Sequence, residues 1–242
     1  MTMVVHSDSS REWVTVLEGL EARLLAGDLK AGFRLPSERA LASRLKVRRA
    51  SVREALRVLE VLDIINTKSG SRFGSAGILV ASPAGGMGTL MRLQVAARGF
   101  RVSDIVHTRV LLECAVAKNL AENHSSIDLA PLLKQIEAMD DARHSASDYV
   151  TLNAKFHAAL AEASGNHIVT SVMAGLRHSI ESATYEGAGG IPDWPATVTR
   201  LQKEHRELLD AIAEGDGPRA AAITKAHISG YYVETHLAPG VA

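Results

Sequence analysis

The C-terminal part of the sequence carries nitrogen- and oxygen-bearing side chains of the types that bind metal ions. Asn153 and His157 are four residues apart, so on a helix they project from the same face. His205 and His227 lie in two later segments with helical patterns. Neutral imidazoles and an oxygen ligand suit zinc, nickel or another first-row metal. Taken singly, however, each histidine is more often a hydrogen-bonded interior residue, so the residue types alone allow a metal site without establishing one.

A second group of candidate functional residues is basic. Seven Lys and Arg residues but only one acidic residue fall between Arg39 and Arg57. Such residues displace counterions from DNA phosphates, and an Arg near the start of a recognition helix can bind the acceptor edge of guanine. Arg49 and Arg53 are one helical turn apart and can reach the same groove. A solvated helix face is the alternative interpretation, but this run lies inside a helix-turn-helix pattern.

The elements that position the basic residues follow from apolar spacing and turn residues. Apolar residues recur at helical spacing over 13–25, which predicts a first helix of about four turns. Ser37 is predicted to cap a second helix of eight to ten residues, and a break at 46–49 separates that helix from a third. The segments 64–67 and 72–80 could pair as a hairpin, which would form a wing.

The rest of the chain is predicted to be helical. An uncharged stretch rich in Gly, at 81–88, predicts a linker. Beyond it, long Ala- and Leu-rich stretches predict six or seven helices and no strand, with Ser103 capping one helix and Asp216 opening the last. The predicted fold class is mainly α: an N-terminal winged helix-turn-helix domain with a small β wing over 1–80, then an all-α helical bundle over 89–242.

Composition and charge exclude several classes of protein. An apolar fraction of 46% excludes a wholly disordered chain, and a single cysteine, Cys114, excludes a disulfide framework and a Cys-based zinc finger. Basic and acidic residues balance at 27 each, but residues 1–80 hold 13 basic and 9 acidic ones, so the later part is acidic. No signal-peptide pattern and no run of about 18 apolar residues is present, so we expect a cytoplasmic protein without a membrane partner.

The basic region resembles the N-terminal signature of the GntR family of bacterial transcription factors. The resemblance lies in Leu-Pro-Ser-Glu-Arg-Ala-Leu-Ala from Leu35, in Val-Arg-Arg from Val47 and in Val-Arg-Glu-Ala-Leu-Arg from Val52. It implies a winged helix that contacts operator DNA through three arginines and the tip of the wing. Two departures are Arg48, where Ser is usual, and Ser-Gly-Ser at 69–71, which lacks the usual Gly-x-Gly. The predicted DNA-binding residues are Arg39, Arg48, Arg49, Arg53, Gly70 and Arg72.

The histidine pattern resembles the ligand-binding domain of the FadR subfamily of GntR regulators, over nearly all of residues 88–236. That resemblance implies a helical bundle whose cavity binds a divalent metal through an Asp, a His four residues later and two further His. The predicted metal ligands are Asn153, His157, His205 and His227, with zinc or nickel as the metal. Asn153 replaces the usual Asp, so either the metal affinity should fall or an anionic effector should be attracted more strongly.

The same resemblance assigns Arg109 to the effector. Arg109 lies on an otherwise apolar predicted helix, and an Arg at this place in the family helps to hold the effector's carboxylate, which the guanidinium fork matches. An internal ion pair with Glu113, four residues later, is the alternative.

The leading hypothesis is a homodimeric transcriptional regulator, expected to be a repressor, that binds a near-palindromic operator and senses a small carboxylic acid at a metal. The effector then acts by favouring one spacing of the two winged helices. A metal-dependent, hydrolase-like enzyme and a DNA-binding dimer without an effector site are the alternatives.

Overall fold

A computed structural model describes residues 9–67, 77–79, 85–141 and 143–235. The chain divides into two compact units, an N-terminal unit of residues 1–86 and a C-terminal unit of residues 87–242. The architecture is mainly helical with one small sheet, as the sequence predicts.

Three helices form most of the N-terminal unit: α1 (Ser9–Leu25), α2 (Glu38–Leu45) and α3 (Arg49–Val61). The Ser37 hydroxyl accepts a hydrogen bond from the Ala40 amide at 3.3 Å, so Ser37 caps α2 as predicted. Helix α2 ends at Lys46, whose left-handed backbone (φ 54°) turns the chain into the short connection before α3. The predicted helix-turn-helix is therefore confirmed.

A three-stranded antiparallel sheet completes the N-terminal unit. Its strands are β1 (Arg34–Leu35), β2 (Ile65–Asn66) and β3 (Gly77–Leu79), in the order β1-β3-β2. Strands β2 and β3 pair with Ile65 opposite Leu79, within the two segments predicted to form the hairpin. Strand β1 was not predicted, because two residues are too short to show an alternating pattern. The predicted wing tip, including Gly70 and Arg72, lies outside the described residues.

The core of the N-terminal unit is one hydrophobic cluster that joins the three helices to the sheet. Helix α1 packs on α3, and the apolar face of each helix is buried in this cluster. The opposite face of α3 carries its arginines to the surface. The cluster includes Val16, Leu20, Leu35, Leu41, Val52, Leu56 and Ile65.

From residue 85 to 235 the described chain contains helices and no strand, as predicted. The helices are α4 (Gly85–Arg98), α5 (Val102–Glu122), α6 (Ala130–Met139), α7 (Ala146–Ala163), α8 (His167–Ala188), α9 (Trp194–Ala213) and α10 (Gly217–Glu234), with a short 3-10 turn at His124–Ser126.

Helix α4 begins inside the stretch predicted to be a linker. Glycine disfavours helix when a segment is considered alone, but tertiary packing overrides that propensity here. A side chain at Gly175 on α8 would place its Cβ 2.4 Å from Cβ of Met91, so the missing side chain lets α4 and α8 approach closely. The predicted linker is therefore too long at its C-terminal end, because residues 85–88 already belong to α4.

The helix ends of the C-terminal unit agree with the sequence in one case and differ in another. Asp216 caps α10 by accepting from the Arg219 amide at 2.9 Å, as predicted. The predicted Ser103 cap is wrong, because α5 starts two residues earlier than that cap implies, at Val102 with Arg101 as its N-cap. The Arg101 guanidinium lies 2.9 Å from the Asp104 carboxylate, and this ion pair spans the first turn of α5.

Helices α5, α7, α9 and α10 surround the largest core cluster of the C-terminal unit. Phe156, Leu120, Ile212 and Tyr232 are among its most deeply buried members. The same four helices also bury polar and charged side chains, and these side chains form the candidate site.

Candidate metal centre and nucleic-acid interface

Three histidines from three helices meet in the interior of the C-terminal unit. His157 on α7, His205 on α9 and His227 on α10 have candidate ligand atoms that all lie within 4.8 Å of one another. Nε2 of His205 is 3.2 Å from Nε2 of His227. All three side chains are buried, with exposures of 3%, 1% and 6%. The structure therefore brings the three predicted histidine ligands together.

Two carboxylates lie behind this cluster and engage the outer nitrogens of two of the rings. Oε2 of Glu113 is 2.5 Å from Nδ1 of His157, a close contact without the alignment of a regular hydrogen bond. Oε2 of Glu204 is 2.8 Å from Nδ1 of His227. The opposite nitrogen of each ring, Nε2, then faces the cluster: that of His157 has no hydrogen-bond partner, and that of His227 contacts Nε2 of His205. This is the carboxylate–histidine arrangement that orients metal ligands.

Electrostatics keeps two of the rings in the form that binds metal. Burial, with the neighbouring His227, holds the pKa of His205 well below its usual value. Burial also lowers the pKa of His227 to about 4, although the Glu204 carboxylate opposes the shift. Both imidazoles are therefore neutral at pH 7 and have a lone pair to donate.

Asn153 supplies an oxygen near the histidines. It is one helical turn before His157 on α7, and it lines the same small cavity as His227. Among the described residues, Asn153 Oδ1, His157 Nε2 and His205 Nδ1 are buried without a hydrogen-bond partner. Each such atom costs about 1–3 kcal/mol when it stays unpaired. An amide oxygen and imidazole nitrogens are acceptors, so a bound cation would satisfy them, and the donor set fits a first-row divalent metal.

Arg109 is held by an ion pair inside the same unit. Its Nε donates to Oε1 of Glu113 at 2.7 Å, and its Nη1 donates to the Tyr232 hydroxyl at 3.4 Å. Burial opposes charge on both partners, but their mutual attraction outweighs it, with His157 adding to the effect at Glu113. The pKa of Glu113 is consequently held below its usual range and the pKa of Arg109 is raised. The internal pair that the sequence left as an alternative is present.

The cavity beside these residues is small. Arg109, Asn153 and His227 line a space of about 20 Å³, which is enough for about one water molecule. A second pocket of about 230 Å³ lies next to it, and Tyr149 and Trp194 line both spaces. The two rings pack edge to face with centroids 5.8 Å apart. A small carboxylic acid therefore needs a rearrangement of this aromatic pair, or of the surrounding helices, to enter the inner cavity.

The predicted DNA-binding arginines of the described chain lie on the exposed surface of the helix-turn-helix. Arg39 is on α2, Arg48 is the N-cap of α3, and Arg49 and Arg53 are on the first two turns of α3. The Glu38 carboxylate contacts two of them. Arg53 donates to it from Nε at 3.3 Å and from Nη2 at 3.1 Å, and Nη2 of Arg49 lies 3.6 Å away. The basic surface is thus partly neutralised when no DNA is bound.

Comparison with known proteins places these two sites in known domains. The model for bacterial regulatory proteins of the gntR family matches residues 14–74, and the model for the FCD domain matches residues 104–230. The chain belongs to the GntR family and carries an FCD domain. It is therefore a transcriptional regulator with a DNA-binding helix-turn-helix, and the enzyme alternative is not supported.

Individual relatives of this GntR regulator are distant but similar in length. The HTH-type transcriptional regulator LutR of Bacillus subtilis (strain 168) is 27% identical over 216 residues, which are 86% of this chain and 97% of LutR. The Glc operon transcriptional activator of Escherichia coli (strain K12) is 24% identical over 204 residues, or 82% and 79% of the two chains. The solved structure of Streptococcus agalactiae GntR aligns with a TM-score of 0.55 at 25% identity, and covers 90% of this chain and 98% of that one.

Sequence reasoning missed several residues around the three histidines of the FCD domain. Glu204 directly precedes His205, so the signal that could have found it was an acid next to a predicted ligand. Glu113 was considered only as a partner of Arg109, but it also contacts His157. Tyr149 and Tyr232 carried no chemical signal in the sequence, because their positions depend on how the helices pack.

Two acidic residues near the helix-turn-helix were also missed, because charges were counted only between residues 39 and 57. Glu38 stands just before that window, and Glu12 is far from it in sequence, yet both contact arginines of α3.

Across the part of the chain that the structure describes, no helix has the length and apolarity to cross a membrane.

Proposed function

We propose that this regulator acts as a homodimeric repressor whose binding to a near-palindromic operator is controlled by a small carboxylic acid bound at a divalent metal. In this proposal residues 1–80 bind DNA, residues 81–88 connect the domains, and residues 89–242 bind the effector and dimerise. The observation that carries the proposal is the meeting of three buried histidines beside Arg109 in one unit.

The metal would be held by Asn153, His157, His205 and His227, with zinc or nickel as the first candidates. The buried acceptor atoms without partners and the two supporting carboxylates support this ligand set. A bound metal would supply Lewis-acid coordination for an effector's oxygen. Because Asn153 is neutral, the site would carry more net positive charge than one with an Asp, which favours an anionic ligand.

Arg109 would pair with the carboxylate of the effector. Glu113 now occupies the Nε edge of its guanidinium, so the effector would bind at the remaining edge or displace Glu113. Because the inner cavity has room for about one water, effector binding requires the site to open. A ligand that binds only an opened site shifts the protein toward that state, which is the condition for control of a distant function.

Operator contacts are assigned to Arg39, Arg49 and Arg53, with Arg48, Gly70 and Arg72 as further predicted contacts. The exposure of the helical arginines on the helix-turn-helix supports this assignment. Arg53 has to leave Glu38 before its Nε–Nη2 edge binds a base or a phosphate. We expect Arg53→Ala to lose about 1–3 kcal/mol of operator affinity and to relax base selectivity.

Thermal unfolding of chelator-stripped protein tests the effector site. The protein is melted with zinc or nickel, each alone and with hydroxy acids, keto acids, sugar acids and dicarboxylic acids. A ligand at 100 times its Kd should add about 2.7 kcal/mol of stability. We expect a shift with metal that an acid enlarges, and loss of both in His157→Ala. If metal produces no shift in the parent protein, the metal site is refuted. If no acid adds to the metal shift, the effector class is wrong.

A separate experiment tests whether the effector weakens or strengthens DNA binding. It uses a duplex selected by the protein from a random library. We expect the acid that enlarges the thermal shift to lower the affinity for that duplex. A higher affinity would reverse the proposed sign of control.

A further inference from the structure

The start of the recognition helix α3 is held by a carboxylate from α1. Oε2 of Glu12 accepts hydrogen bonds from the backbone N–H of Arg48 at 3.1 Å, from Nε of Arg48 at 3.0 Å and from the Ser51 hydroxyl at 2.8 Å. Arg48 is the N-cap of α3, and within the described chain its own side chain makes no capping bond. Glu12 therefore ties the N-cap residue and the first turn of α3 to α1. It does so through the N–H of the N-cap residue itself and through two side chains, whereas an N-cap side chain would accept from an amide of the first turn.

The surrounding packing places Glu12 where it can orient α3. Val16, one turn after Glu12 on α1, and Val52, directly after Ser51 on α3, are both fully buried in the same cluster. Glu12 thus lies at the edge of the interface between the two helices. Hydrogen bonds from Arg48 and Ser51 hold the pKa of Glu12 below its usual value, so the carboxylate is charged at the positive end of the α3 dipole.

We propose that Glu12 is a positioning residue for operator recognition. Through Arg48 and Ser51 it fixes the orientation in which α3 presents Arg49 and Arg53 to DNA. Arg48 has no side-chain acceptor for the amides of α3, and its N–H and its guanidinium instead donate to Glu12 of α1. Arg48 is accordingly a link between two helices in the free protein. The inference deepens the DNA-binding part of the proposed function and rests on it.

A positioning role and a purely electrostatic role predict opposite results when Glu12 is removed. A negative charge near the DNA surface opposes binding to every duplex, so its loss alone raises affinity for all sequences alike. A misplaced recognition helix instead loses base contacts and keeps phosphate contacts. The informative quantity is therefore the ratio of the affinity for a selected duplex to the affinity for a scrambled one.

The experiment uses the full chain and a duplex selected by the parent protein from a random library. The affinity ratio is measured for the parent, for Glu12→Ala and for Glu18→Ala, which removes the same charge from an exposed position of α1. We expect the ratio to fall about tenfold in Glu12→Ala and to stay within about twofold in Glu18→Ala. Glu12→Gln, which keeps an acceptor oxygen for Arg48 and Ser51, should retain more of the ratio than Glu12→Ala. An unchanged ratio in Glu12→Ala overturns the proposal.

A second measurement needs no DNA. The Val52 amide donates to the Arg48 carbonyl at 3.2 Å, so its hydrogen exchange reports whether the first turn of α3 is intact. We expect faster Val52 exchange in Glu12→Ala, an intermediate rate in Glu12→Gln, which keeps an acceptor oxygen, and no change in Glu18→Ala. If Glu12→Ala melts below the assay temperature, Glu12→Gln takes its place in both assays.

The two measurements distinguish a failure of the proposed DNA function from a failure of the proposed role of Glu12. If the parent selects no duplex, the proposed DNA function fails, and the exchange rate of Val52 still decides whether Glu12 orders α3. If the parent selects a duplex and the ratio does not change in the Glu12 variants, the positioning role of Glu12 is refuted, whatever the exchange rate of Val52.

Discussion

Replacement of Glu204 by Gln should weaken zinc binding without unfolding the bundle. Oε2 of Glu204 lies 2.8 Å from Nδ1 of His227, and its Oε1 accepts from Nη1 of Arg200 at 2.8 Å. The carboxylate thereby fixes the ring with Nδ1 protonated, so Nε2, which contacts Nε2 of His205, keeps the lone pair that a metal would use. An amide loses the charge, and it can also present an N–H that favours the wrong tautomer of His227.

The size of the effect follows from the contact and its exposure. Loss of a supporting carboxylate commonly costs about 10- to 100-fold in metal affinity. We expect the lower end, about tenfold or about 1.4 kcal/mol, because the Gln oxygen can still accept and solvent screens part of the lost charge. The side chain of Glu204 is 21% exposed, which is the basis for this discount.

Competition with a chromophoric zinc chelator at pH 7 measures the affinity. Glu207→Gln is the matched control, because Glu207 lies one turn later on α9 and is paired with Lys203 at the surface. We expect the control to bind zinc like the parent, and the nitrogen NMR shifts of His227 to show mixed tautomers only in Glu204→Gln. Equal zinc affinity in both variants would refute the role of Glu204, whereas a parent that binds no zinc would refute the metal site itself.

Three further predictions concern the same unit. Asn153→Asp should raise zinc affinity about tenfold in the chelator competition, since a carboxylate adds a negative ligand, and an unchanged affinity would exclude residue 153 from the coordination shell. Arg109→Met should lower the free energy of unfolding by about 3–5 kcal/mol in urea because it leaves Glu113 buried and unpaired, and adding Glu113→Gln should recover part of the loss; equal midpoints for all three proteins would contradict a buried ion pair. In Trp13→Phe the single remaining tryptophan, Trp194, should change its emission when zinc and a stabilising acid bind together, and constant emission would show that the aromatic pair does not move.

Several features of this regulator could be predicted from the sequence because they depend on neighbours along the chain. Ser37 and Asp216 cap the helices that follow them, since a capping side chain bonds to amides two or three residues later. The helical spacing that places Asn153 and His157 on one face is likewise local. The histidine cluster itself was expected only from the family resemblance, because residues 157, 205 and 227 are too far apart for spacing to relate them.

Other features were decided only by tertiary structure. Strand β1 exists because β3 provides a partner for its two residues, and α4 packs closely on α8 where Gly175 faces Met91. Glu12 and Glu38 oppose the basic charge of α3, although a count along the chain assigned that segment an almost unopposed positive charge.

The chemistry of the candidate metal site shows the same division. The residue types and their helices could be predicted from the sequence. The contacts of Glu113 and Glu204 with the Nδ1 atoms, and the small size of the cavity, could not. Helix periodicity assigns a side chain to a face, but it does not specify which face of another helix packs against it. A contact across helices depends on distances of a few ångströms between residues far apart in the chain, and only the packed bundle determines those distances.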